Sequence, residues 1–522
     1  MTSPQPTPMK FSGIVKDIMP SDCPPTVWTD GRNVIFKAGE TQRVPGEAQF
    51  ANAGRVCDAD IIGHITNVSG SFWVYAGATK GKTPGVGVTD GVNHWNIAPA
   101  GWLAINAVSS RLSITDINGI IVINHPELGA FWWDGATTDA MTRLPNWAVG
   151  WTCTVMRAHK NWLMAFNITD GSGTHLGRVA WSSSADPGTV PPEWAPTATN
   201  DAGYIDFANP SGPIIDGISL RDMFFISKSS WTGALSYIGG QFVFRYQDVF
   251  PSLGMYAQNC AVEFGNTIYM FTGRQAMIQH DGSQTKDLLY GVAQEYVKSR
   301  INNQYPTRVF VYRDATAGQV LLCYPTGANE SCNEAISLEI ESGDMGIRDL
   351  PNIYRVGTGP TVVANQSWDA DSATWDSDST IWDENASPFS TDKIVFAGGT
   401  QGMLEQGAAA TQWTPSGPAL LPAFVERIGI DLDDNDYRKT LSGMKARIKG
   451  NTGDVIAWRF STREDDSSAA ITVGPVNFTI GVSDRVNFFI DGRLSGIYAA
   501  STGGQPWTLG KLYPYARKSG RW

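Results

Sequence analysis

A paired-strand pattern recurs about every 45 residues along this chain, six times in all. The copies start at Ser71 (SFWVYAGATKGKTPGVGVTDG), Gly119 (GIIVINHPELGAFWWDG), Asn161 (NWLMAFNITDGSGTHLGRVAW), Arg221 (RDMFFISKSSWTGALSYIGG), Thr267 (TIYMFTGRQAMIQHDG) and Arg308 (RVFVYRDATAGQVLLCYPTG). Each is a β-branched or aromatic run, a Gly/Asn/Asp turn, and a second such run. Start-to-start spacings are 48, 42, 60, 46 and 41 residues. One small sheet cannot bury both of its faces, so repeats of this size stack. The expected fold is mainly β: a six-bladed β-propeller over residues 61–355. An additional β-rich platform or sandwich domain is expected from C-terminal segments, with N-terminal strands as candidates to join it.

The 522 residues are too many for one ordinary core and fit two or three domains. Residues 1–60 read as an arm with strands (WTDGRNVIFKAGETQRVPG), 356–415 as a loop-like Trp/Asp-rich region, and 416–522 as the platform domain (AFVERIGIDL, GMKARIKG, DVIAWRFST, DRVNFFID). Between the fifth and sixth copies, Leu289, Val292, Tyr296 and Arg300 or Ile301 recur at helical spacing, which predicts one short amphipathic helix. Pro191-Pro192 and Trp194 in the longest gap predict a projecting loop.

The formal net charge is −11, which argues against a dedicated nucleic-acid binder. The charge is uneven: residues 355–440 hold 13 acidic and 5 basic side chains, residues 441–522 hold 6 and 11. Six cysteines, with no CxxC pair or Cys/His ligand spacing, read as buried small hydrophobes with free thiols. The start, MTSPQPTPMKFSG, lacks a secretory pattern, and no apolar run reaches the ~18 residues of a membrane span. The expectation is a protein made in a reducing cytoplasm.

Four features carry candidate chemistry. AGATKGKT (Ala76–Thr83) approaches a phosphate loop, but the TPGVGVTDG that follows cannot open the helix such a loop needs. Ser184-Ala-Asp186-Pro-Gly188 resembles part of a sialidase Asp-box, with Pro191 where the aromatic belongs. In SWDADSATWDSDSTIWDEN, Trp368, Trp375 and Trp382 stand seven residues apart, each followed by Asp. Three readings apply: packing with solvated carboxylates, partner contact through the tryptophans, or calcium held by Asp369, Asp371, Asp376 and Asp378. Thr374 and Thr380 occupy the sixth and twelfth positions of the EF-hand count, which removes that motif. Six histidines are scattered, and no Ser/His/Asp set is legible.

In order along the chain, TDGRNVIFKAGETQRVPG, VAWSSSADPG, the block from GPIIDGISLRDMFFISKSSWTG through QFVFRYQDVFPSLGMYAQNCAVEFGNTIYMFTGRQAMIQHDG, and the ending FFIDGRLSGIYAASTGGQPWTLGKLYPYARKSGRW resemble the tail nozzle proteins (tail tubular protein B type) of short-tailed bacteriophages. The resemblance implies a six-bladed propeller plus platform, and a homohexameric ring below the adaptor at the head-to-tail junction. It implies a structural role: extending the DNA channel, retaining packaged genome, guiding ejection and docking tail fibres. No cofactor, catalytic residue or metal ligand is carried over; Trp368, Trp375 and Trp382 remain the candidate partner contacts. The expected location is the virion tail, assembled in the host cytoplasm. Duplex DNA is expected to pass without tight binding through a neutral or negative bore, with the basic excess of residues 441–522 facing an acidic protein surface. The alternatives are a glycan-binding or glycan-cleaving propeller and a cellular scaffold propeller.

Overall fold

The computed structural model describes residues 8–67, 70–77, 83–105, 111–240, 243–359, 393–407, 411–414, 416–432, 436–501 and 503–521. The protein is nearly all β, and its chain divides into two compact units. One comprises residues 49–252 and 353–406; the other comprises 1–48, 253–352 and 407–522.

In the first unit, four consecutive antiparallel meanders of four strands run through residues 61–96, 113–143, 155–206 and 216–250. A further sheet is built on Arg355–Gly359, Lys393–Ala397 and Met403–Gln406. Its fourth strand is Glu47–Gln49, and the pairing continues where the Phe50 amide donates to the Met403 carbonyl at 3.0 Å. The first strands of these sheets pack side by side, Arg355–Gly359 on Ile61–Asn67, then Ser113–Ile117, Val155–His159 and Asp216–Leu220. Such stacking of four-stranded meanders through their first strands is the blade arrangement of a β-propeller.

The sequence accounts for it. Ile120–His125 is buried along its whole length, which a strand with one wet face cannot be. Alternate side chains feed different cores. Ile121 and Ile123 join Val74, Ala76 and Val88, whereas Ile120 and Val122 join Met156, Leu163 and Ala165. Trp162–Phe166 does the same one sheet further on: Leu163 and Ala165 serve one cluster, Trp162, Met164 and Phe166 the next. The edge amides of the first strands are also satisfied across the sheet boundary. Met156 and Ala158 donate to the hydroxyls of Ser113 and Thr115 at 3.1 and 3.0 Å.

The second unit holds two more four-stranded meanders, at residues 261–287 and 310–353, and two five-stranded sheets. One five-stranded sheet orders Asp30–Arg32, Phe424–Ile430, Leu494–Ser501, Val455–Arg463 and Ile471–Thr479. The other orders Val34–Lys37, Glu40–Arg43, Trp507–Arg521, Tyr437–Gly450 and Ile490–Gly492. The predicted helix is Gln294–Arg300; Asp17 accepts from the backbone amides of Glu295 and Tyr296 in its first turn, and Val297 is buried. Among the described residues, no helix is long and apolar enough to cross a membrane.

Each of the six sequence copies lies in its own four-stranded sheet, but the described residues hold seven such sheets, so the count of six does not carry over. The seventh escapes the repeat because 33 residues separate Gly359 from its register partner Lys393, and its last strand comes from the start of the chain. The stretch 356–415, read as loop, therefore supplies Lys393–Ala397, Met403–Gln406 and Thr411–Thr414 as strands. Contacts also divide the 61–355 block between residues 252 and 253. The loop at Pro191-Pro192 does not project at Trp194, which is buried 4.7 Å from the Trp147 ring.

The Arg157 guanidinium grips the buried Asp216 carboxylate with two hydrogen bonds, at 2.8 and 2.6 Å, joining the first strands of neighbouring sheets. Removing the cation leaves the buried carboxylate without the guanidinium, though the Gly217 amide still donates to it, and loss of one partner of a buried pair costs about 3–5 kcal/mol. Arg157→Met is expected to lower stability by about 3 kcal/mol, read as the urea midpoint shift times the slope. An unchanged midpoint contradicts this account.

Candidate functional site

Trp368, Trp375 and Trp382, with Asp369, Asp371, Asp376 and Asp378, lie outside the described residues. The phosphate-loop-like segment falls largely outside them too; beyond it Gly85–Thr89 is a strand, not a helix. The Asp-box-like segment is a turn in which Thr189 donates to the Asp186 carbonyl. Among the described residues, no group of three or more His, Cys, Asp or Glu side chains is placed to hold a metal ion.

One Ser/His/Asp grouping that the sequence did not reveal lies within a single exposed hairpin. Ser172 donates to Asp170 at 2.6 Å, and Nε2 of His175 is 2.9 Å from the Ser172 hydroxyl and 3.1 Å from Asp170. Nucleophilic relay needs serine and carboxylate on opposite ring nitrogens. Here both meet the same one, so the group locks a turn. Burial raises the Asp170 carboxyl, and the Ser172 hydrogen bonds more than offset this, holding it below the usual range.

A second candidate surface lies in the second unit, on the five-stranded sheet of the two longest strands. Tyr437–Gly450 pairs with Trp507–Arg521. Period two places Lys445, Arg447 and Lys449 on its exposed face, with Met444 and Ala446 buried behind. The register shifts between Ala446 and Ile448: Ala446 pairs with Leu512 but Ile448 with Leu509. Gly510 and Lys511 thus both oppose Arg447, a bulge that turns Lys511 out to solvent. The Arg447 guanidinium stands 5.5 Å from the Tyr513 ring centroid. Lys445, Arg447, Lys449, Lys511 and Lys10 line a groove of about 540 Å³ whose carboxylates are Glu40 and Asp484. Lys449 lies 3.8 Å from Glu40; Lys445, Arg447 and Lys511 enter no ion pair among the described residues. The signal was present in sequence as K-A-R-I-K, period-two cations on a strand, and was read only as a net excess of charge.

No protein-family model matches the chain, and no curated protein matches it. Among solved structures it is similar to the WD40 β-propeller domain of Doa1, with TM-score 0.38 and 6% identity over 70% of this chain and 95% of that one. It is also similar to puromycin hydrolase, with TM-score 0.34 and 7% identity over 65% of this chain and 56% of that one. Likenesses this distant carry no argument about activity.

All six cysteines, His159 and His280 are buried in the core. Burial pushes the Cys57 thiol up to about 12, and the Cys153 thiol donates to Asn124 at 3.2 Å. His159, 2.9 Å from the Ser219 hydroxyl, and His280 are buried, and desolvation lowers both from 6.5 to about 4. A folded-state value below the unfolded one gives stability that is complete above about pH 6.5 and is lost as pH falls toward 4. Each histidine contributes on the order of 3 kcal/mol to that loss. Urea midpoints should therefore be flat from pH 8 to 7 and drop between pH 6.5 and 4.5. The double variant His159→Gln/His280→Gln should show a shallower drop; an equal one refutes the assignment.

Proposed function

We propose that this chain is a non-enzymatic structural subunit of a short bacteriophage tail. Six copies form a nozzle ring that extends the DNA channel below the adaptor, helps retain packaged DNA, guides its ejection and offers a seat for tail fibres. One observation carries the reading. The segments of nozzle resemblance at the two ends of the chain meet in the same two sheets. Asp30–Arg32, from TDGRNVIFKAGETQRVPG, pairs with Phe424–Ile430, which pairs with Leu494–Ser501 of the ending. Glu40–Arg43 pairs directly with Trp507–Arg521. Segments more than 400 residues apart thus belong to one folded body, which supports reading their resemblances together.

The stacked sheets suit the role. Blades that bury both faces resist shear, and a conduit under internal pressure needs walls that do not deform. Purified phage particles from the source of this gene, labelled with antibody to the chain, are expected to show label at the tail. Particles free of the chain overturn the reading. Replacing Trp368, Trp375 and Trp382 together with Ala is expected to leave the urea midpoint of the isolated chain unchanged and to reduce its incorporation into particles. Normal incorporation with a lowered midpoint assigns the three tryptophans to internal packing instead.

A further inference from the structure

We infer that the cationic face of the Tyr437–Gly450/Trp507–Arg521 ribbon is a contact site for the phosphate backbone of duplex DNA, binding weakly and without sequence preference. The inference stands on the surface alone and does not depend on the nozzle reading.

Spacing, exposure and pairing carry it. Lys445, Arg447 and Lys449 follow one another at every second residue of one strand, so their Cα atoms advance about 6.8 Å per step. Duplex DNA carries one phosphate per about 3.4 Å of helix axis on each strand, so the row of cations meets a line of charge at least as dense as its own. The bulge opposite Arg447 adds Lys511 from the neighbouring strand, widening the row into a band. All four side chains are exposed. Three of them form no ion pair among the described residues, in a chain whose net charge is −11. A protein with that balance has carboxylates to spare for neutralising cations, yet only Glu40 and Asp484 line this groove. Gly510 lies beside Arg447 on the neighbouring strand and lines the same groove. Tyr513 holds the Arg447 guanidinium near its ring, which reduces the side-chain freedom lost on binding. The hydroxyls of Ser483 and Thr508 on the same groove are further donors to phosphate oxygen. The side chains facing the groove are mainly cations and hydroxyls on an open face, the groups that bind phosphate oxygen, so the contact is read as one to the backbone.

Titrating the full chain against a fluorescent 20-base-pair duplex tests this by anisotropy. Roughly micromolar to hundred-micromolar affinity is expected at 50 mM salt, the range of non-specific contacts. Four phosphate contacts give a slope of log K on log salt of about −3.6, a fall of about 150-fold between 50 and 200 mM. The variant Lys445→Glu/Arg447→Glu/Lys511→Glu should reduce the slope to about −0.9 or abolish binding. Arg245→Glu/Arg274→Glu/Lys286→Glu changes three exposed cations elsewhere by the same total charge and should leave the slope near its original value. No binding at 50 mM salt overturns the inference. So does an equal loss in both triple variants. A poly-glutamate peptide that binds more tightly than the duplex also overturns it, and assigns the face to an acidic protein surface.

Discussion

Among the described residues, the four-stranded sheets have central strands buried at successive positions, so both faces are apolar, and no sheet can cover both by itself. That constraint fixes the architecture. Val74 and Tyr75 are adjacent on one strand, yet Val74 belongs to the core shared with Ile121 and Tyr75 to the core shared with Val395 and Met403. A strand read in this way must have a sheet on each side, and the requirement passes from sheet to sheet. Polar groups follow the same rule. Ser113 and Thr115 take up edge amides of the neighbouring sheet, and the Arg157–Asp216 pair bridges two first strands.

Charge is sorted by location. Within the second unit, the buried Glu334 carboxylate receives Arg32 at 3.0 Å, Arg300 at 2.6 Å and the Tyr324 hydroxyl at 2.8 Å. Burial raises it, but the Arg300 and Tyr324 hydrogen bonds and the Arg32 charge prevail and hold it below the usual carboxylate range. Glu47, equally buried, has Arg348 at 2.7 Å as its cationic partner. There desolvation wins over the single guanidinium, and the carboxyl sits above its ordinary value. These pairs fasten the N-terminal strands to the meander of residues 310–353. By contrast Lys445, Arg447 and Lys511, exposed on the long ribbon, enter no ion pair among the described residues.

Much of this was legible in the chain. The six paired-strand repeats each became the centre of one sheet, because apolar alternation and Gly/Asn/Asp turns are local properties that set strand and turn directly. The short helix at Gln294–Arg300 was legible for the same reason. The cationic row was visible as K-A-R-I-K, but its meaning depended on which face of the strand stayed wet and on the bulge that adds Lys511.

The sequence by itself determined where most strands begin and turn, and that the fold is mainly β. Tertiary structure decided which distant strands share a sheet. The seventh four-stranded sheet joins Glu47–Gln49 to Met403–Gln406, and the long ribbon joins Tyr437–Gly450 to Trp507–Arg521 and then to Glu40–Arg43. Backbone amides and carbonyls pair equally well with any partner strand. The choice among partners is made by which apolar faces can be buried together, and that depends on the whole assembled core rather than on any local run of residues.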